Sequence, residues 1–141
     1  MKAIEVIVRG NLIKDNHLLV CQGIGKDYFY LPGGHIEFFE TEKEALHREW
    51  KEELGCDCQI DKFLSHFEDF FMDDRQGKHH EYTFLYAVSC EALSLEKPLP
   101  QCEPHIKFHW IPLNQLPTCL LLGEKIKSFL LQNLCNKDSN S

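Results

Sequence analysis

Apolar positions along this chain switch between a period of two and a period of about 3.6, and the switches mark out its elements. Residues 3–9 (AIEVIVR) read as a strand that ends at Gly10-Asn11, and Leu18 to Gln22 reads as its hairpin partner after the turn-like Asp15-Asn16-His17. Tyr28 to Leu31 reads as a short aromatic strand, stopped by Pro32-Gly33-Gly34. From Thr41 to Leu54 the period becomes helical, with Leu46, Trp50 and Leu54 on one stripe and no internal Gly or Pro. Thr41 and Glu44 have the spacing of a capping box, and Gly55 stands where a left-handed C-terminal cap is expected.

Beyond the helix the pattern returns to strands. Ile60 to Met72 is rich in Phe, and a polar turn is expected over 73–78. His80 to Cys90 is apolar on both alternations, which predicts a central strand buried on both faces. Residues 92–104 read as a loop with Pro98, Pro100 and Pro104, and Ile106 to Ile111 as a last strand. Leu120 to Leu134 reads as a second helix, with Leu122, Ile126, Phe129 and Leu130 at helical spacing. Strands, helix, strands, helix predict an α+β fold, an α/β/α sandwich with a mixed sheet between helices. One domain is expected over 1–135, with a short polar, disordered tail over 136–141.

Composition narrows the function. A chain of 141 residues buries one core without disulfides. The net charge of −7 and the presence of only three arginines, Arg9, Arg48 and Arg75, argue against a long nucleic-acid partner. No run approaches the ~18 apolar residues of a membrane span, so no membrane partner is expected. The seven scattered cysteines, with no secretory h-region, predict reduced thiols in the cytoplasm. Cys56-x-Cys58 and the pair His79-His80 lack a second pair at zinc-finger spacing, so a zinc site is not expected from them.

The acidity is concentrated. Glu37, Glu40, Glu42, Glu44, Glu49, Glu52 and Glu53 crowd one short segment. On a helical wheel Glu49, Glu52 and Glu53 fall within about 100° of one another, beside the Leu46–Trp50–Leu54 stripe. A Glu-rich helix is usually a solvated face, yet Lys51 points away from this patch and only Arg48 flanks it. Packed carboxylates with one arginine supply the several oxygen ligands that a hard divalent cation needs.

The stretch from Gly34, GHIEFFETEKEALHREWKEELGC, resembles the Nudix box, G-x5-E-x7-R-E-U-x-E-E-x-G-U, where U is a bulky aliphatic residue. Gly34, Glu40, Arg48, Glu49, Glu52, Glu53 and Gly55 stand at the required spacing, while Trp50 and Cys56 replace aliphatic residues. The resemblance covers 23 residues directly, and the preceding Leu31-Pro32-Gly33 is also similar to the family. It implies a Nudix fold and a hydrolase that cleaves the diphosphate linkage of a small nucleotide-like substrate, with Mg²⁺ or Mn²⁺. It implies Glu52 and Glu53 as metal ligands, Glu49 as a further ligand or the general base, and the Gly33 carbonyl as a ligand. Arg48 is expected to orient the glutamates and Glu40 to support them from behind.

Family members often draw one more acid from outside the box, and Glu81 and Glu103 are the candidates here. Tyr28, Tyr30, Phe67, Phe84 and Trp110 could stack on a base, although core packing is the simpler reading of each. The other readings are a nucleotide-binding sensor without turnover, which would be expected to lose box glutamates, and an isoprenoid diphosphate isomerase-like enzyme. The latter would need a catalytic cysteine such as Cys21, Cys90 or Cys102. The oligomeric state stays open, a homodimer included.

Overall fold

The first strand of the chain becomes the interior of a sheet. In the computed structural model, which describes residues 2–73, 75 and 77–139, β1 (Glu5–Asn11) lies between two partners. These are β4 (Gly33–His35), antiparallel to it, and β6 (Gly77–Ser89), parallel to it. With β5 (Gln59–Asp73) antiparallel to β6, they form a mixed sheet in the order β4-β1-β6-β5. A second, antiparallel sheet contains β2 (Ile13–Lys14), β3 (His17–Gly23) and β7 (Ile106–Pro112), with β3 in the middle. Helix α1 (Glu42–Leu54) packs on β1 and β4, and α2 (Glu124–Ser139) on β5.

Strand alternation divides the apolar side chains between two cores. Leu19, Cys21, Tyr86 and Val88 join Leu46, Trp50 and Leu54 on the α1 side. Their sequence neighbours Leu18, Val20 and Leu85 join Ile126 and Leu130 on the α2 side. Both faces are therefore covered, which is the α/β/α arrangement that the doubly apolar strands predict. Each fully buried Leu-sized side chain contributes about 1.5–3 kcal/mol.

Three local expectations need adjustment. The strand at 18–22 is not the hairpin partner of β1. The left-handed pair Asp15 and Asn16 (φ 49° and 61°) turns it onto Ile13–Lys14 instead, and β1 takes β6 as its neighbour. The aromatic stretch 28–31 makes only isolated bridges, Tyr30 to Cys21 and Phe29 to Leu121. The ladder forms one step later, at Gly33–His35, where the absence of a Cβ on Gly33 permits close approach to β1. The second helix starts at Glu124 rather than Leu120. Phe29 takes the backbone groups of Leu120 and Leu122, and Gly123 breaks the helical path at φ 93°. Two positions of the turn expected over 73–78, residues 74 and 76, lie outside the described residues, as do 140 and 141 of the expected tail.

Candidate active site

The site is built on α1, and α1 is fixed at both ends. Thr41 Oγ1 accepts from the Glu44 N–H at 3.1 Å, and the Glu44 carboxylate accepts from the Thr41 N–H at 3.4 Å. Gly55 closes the other end at φ 71°, donating its N–H to the Lys51 carbonyl. Between the caps, Trp50 is wholly buried, and an added Cβ on Gly10 of β1 would lie only 2.8 Å from its indole ring. The large side chain at this core position is thus accommodated by a strand that comes close where it has no side chain.

This docking grades the three carboxylates by depth. Glu53 is 6% exposed, the Glu49 side chain 15% and the Glu52 side chain 51%. Arg48 organises the outer part. Its Nε and Nη2 grip the two Glu40 oxygens at 2.8 and 3.0 Å, and Nη2 also donates to the His35 carbonyl at 3.0 Å. Nη1 reaches Glu49 Oε1 at 3.0 Å and Glu52 at 3.4 Å. The paired fork on Glu40 is the strong contact and the Glu52 pair the weak one. Glu40 is itself held by the Glu37 N–H at 3.0 Å, and its carboxyl is depressed below the usual range, mainly by Arg48.

The inner part has the opposite balance. Burial, reinforced by the Glu49 and Glu103 charges, pushes the Glu53 carboxyl up to about 8, against the opposing charge of Arg9 and a backbone hydrogen bond from Gly33. Glu49 is also raised, chiefly by burial, although its Arg48 hydrogen bond opposes this. Glu53 Oε2 is buried without a hydrogen-bond partner. Such an oxygen is costly unless something satisfies it.

Gly33 and Gly34 form the opposite wall. An added Cβ on Gly33 (φ 145°) would collide with the Val8 carbonyl at 2.0 Å, and one on Gly34 would lie 2.5 Å from the Glu49 carboxylate carbon. The strand therefore pairs closely with β1 because Gly33 lacks a side chain, and lies against α1 because Gly34 does. An oxygen-rich, electron-rich recess with an unsatisfied buried oxygen fits a divalent cation.

The remaining candidates separate. Glu103 is near enough to Glu53 to raise it, whereas Glu81 stands with Glu5 and His79. Glu42 accepts from the Tyr86 hydroxyl at 2.7 Å. Of the five aromatics, Phe67 is buried in the α2-side core, and Phe84 and Trp110, both partly buried, pack against the α1-side core. Tyr30 lines a cavity of about 460 Å³ with Arg9, Phe71, Glu81, Thr83 and Ile126. Arg9, a strand residue with no motif around it, lies over the Tyr30 ring at 5.4 Å, donates to the Leu31 carbonyl at 2.8 Å and acts on both Glu53 and Glu81. Cys21 and Cys90 are buried core thiols, and Cys102 is exposed.

A three-layer α/β/α fold with a capped helix that carries graded carboxylates against a two-glycine strand defines a class of protein. The chain belongs to the Nudix family: the family model for the NUDIX domain matches residues 4–131. A 92-residue stretch, 65% of the chain, is 33% identical to the 8-oxo-dGDP phosphatase NUDT18 of Homo sapiens but spans only 26% of that protein. The ADP-ribose pyrophosphatase of Methanocaldococcus jannaschii is 28% identical over 86% of the chain and 69% of its own length. Among solved structures, the MutT protein from Methanosarcina mazei Go1 superposes with a TM-score of 0.72, covering 93% of both chains at 15% identity. The NUDIX domain of Shewanella oneidensis NrtR, in complex with ADP ribose, has a TM-score of 0.69, covering 95% of this chain and 90% of that one at 18% identity. These two likenesses concern the fold. Among the described residues, no helix is long and apolar enough to cross a membrane.

Proposed function

We propose that this chain is a metal-dependent hydrolase, acting in the cytoplasm as one domain over 1–135. It cleaves the diphosphate linkage of a nucleoside diphosphate joined to another moiety, such as a nucleoside triphosphate or ADP-ribose. The observation that carries this reading is the buried, unpartnered Glu53 oxygen beside the raised Glu49 carboxyl. Two relatives, named as an 8-oxo-dGDP phosphatase and an ADP-ribose pyrophosphatase, support it.

Glu49, Glu52 and Glu53, with the Gly33 carbonyl, would hold Mg²⁺ or Mn²⁺, which when bound shields the diphosphate charge and makes water acidic. Glu49 takes the proton of the attacking water. Its partial burial makes it a stronger proton acceptor than an exposed carboxylate. Arg48 holds one Glu49 oxygen and so fixes the direction of the other. Glu40 locks Arg48 in turn. The exposed Glu52 faces the solvent side, where an anionic substrate arrives. The cavity at Arg9 and Tyr30 receives the moiety beyond the diphosphate, with Tyr30 and Phe71 as its aromatic walls.

A panel of nucleoside triphosphates, ADP-ribose, dinucleotides and diadenosine polyphosphates with Mg²⁺ or Mn²⁺ tests the proposal. At least one is hydrolysed, and Glu52→Gln lowers that rate by orders of magnitude with the circular dichroism unchanged. A panel left intact, or a fully active variant, overturns it.

A further inference from the structure

Away from α1, side chains from three neighbouring strands converge at one end of the mixed sheet. Glu5 of β1 and Glu81 of β6 are opposite each other in the parallel register. His79 precedes Glu81 by two residues and so shares its face. His35 comes from β4 on the other side of β1. Glu5 Oε2 lies 3.0 Å from His79 Nδ1, and Glu5 Oε1 lies 2.8 Å from His35 Nε2. One ligand atom from each of Glu5, His79 and Glu81 lies within 4.8 Å of the other two.

The cluster is held in place. The His79 side chain is 12% exposed, and its ring stacks on Phe71 at a centroid distance of 4.6 Å and an interplanar angle of 3°. The backbones of all three strands are tied by ladder hydrogen bonds. Ligands at about 2.1 Å in a tetrahedral site lie roughly 3.4 Å from one another. The Glu5–His79 distance of 3.0 Å is close to that value and the Glu81 atom lies within 4.8 Å of both, so small side-chain rotations suffice. Two facing carboxylates also repel, and Glu81 is raised by burial and by the Glu5 charge, with Arg9 only partly offsetting this.

We propose that Glu5, His79 and Glu81 form a binding site for a divalent transition-metal ion, separate from the glutamates of α1, with His35 at its solvent rim. Two carboxylates balance the charge of the ion. The imidazoles select Zn²⁺ over Mg²⁺, which favours oxygen ligands and keeps its water. The cluster joins the ends of β1, β4 and β6, and Glu81 also lines the cavity beside Tyr30.

X-ray absorption at the zinc edge tests the site, using the full chain carrying Glu53→Gln and one equivalent of Zn²⁺. The expected spectrum has nitrogen and oxygen neighbours at about 2.0–2.1 Å with the outer scattering of imidazole. Competition against a chelating dye should then show Zn²⁺ binding at least tenfold weaker in Glu81→Gln and in His79→Gln, at unchanged circular dichroism. Glu81→Gln is nearly isosteric and keeps the test valid if the histidine variant does not fold. A sulfur shell at about 2.3 Å would assign the ion to the cysteines and overturn the proposal. Equal affinity in Glu81→Gln and the parent would reduce the cluster to ion pairs and overturn it as well.

Discussion

The outer and the deepest carboxylates gathered around α1 carry opposite electrostatic balances. On the outer half, Arg48 collects Glu40, Glu49 and Glu52, and the carboxyl it grips most tightly, Glu40, is depressed. On the inner half, Glu53 is buried, raised to about 8 and left with an unsatisfied oxygen. Arg48 grips Glu40 with a paired fork, touches Glu49 and Glu52 with one nitrogen, and leaves the deepest carboxyl, Glu53, with an unsatisfied oxygen. A helix with uniformly paired glutamates would be more stable but would offer a cation nothing. A stability–function trade-off of this kind is expected where a site stores unsatisfied charge.

The comparison breaks first at Glu53. Glu53→Gln should lower hydrolysis by orders of magnitude without destabilising the metal-free fold. Glu53 titrates near 8 when folded against an ordinary 4.5. Between those values the folded state retains a proton that the unfolded chain has released, so stability falls as pH rises through that window. The melting temperature of the metal-free protein should therefore drop from pH 5 to pH 8. Glu53→Gln should remove most of that slope, and Mg²⁺ should restore stability at pH 8 by mass action. A parent protein with a flat profile would sink this account of the inner half.

The outer half yields a smaller effect. Arg48→Lys keeps the charge but loses the fork on Glu40, so kcat should fall by roughly 10–100-fold. A lysine variant with the parent rate would show that charge alone, and not the paired geometry, sets the glutamates. The smallest effect lies at the helix end. Thr41→Ala removes the capping hydrogen bond and should cost about 1 kcal/mol in urea denaturation, with the rate per folded molecule unchanged.

Legibility followed sequence distance. The helix limits, the Thr41–Glu44 box and the Gly55 cap depend on residues within one or two turns, and all were readable from spacing. The graded depth of Glu49, Glu52 and Glu53 was not, because a wheel gives direction but not what lies opposite. The Gly33–Gly34 strand and the parallel pairing of β1 with β6 supply that wall, and neither leaves a local signal. Arg9 and the Glu5–His79–Glu81 cluster escaped for the same reason, since alternation placed these residues on a strand face without naming their neighbours. The hairpin drawn between residues 3–9 and 18–22 failed because the turn at Asp15–Asn16 satisfied the nearer pair first.

The contact between Trp50 and Gly10 links two positions forty residues apart in the chain. A side chain at position 10 has no room while the indole is present, and a smaller aliphatic side chain at position 50 would leave a void beneath the strand. Neither site can drift alone. A mutational library that varies them singly should recover almost nothing at position 10, whereas one that varies both together opens alternative pairings. Position 10 is thus a hidden constraint on any redesign of α1.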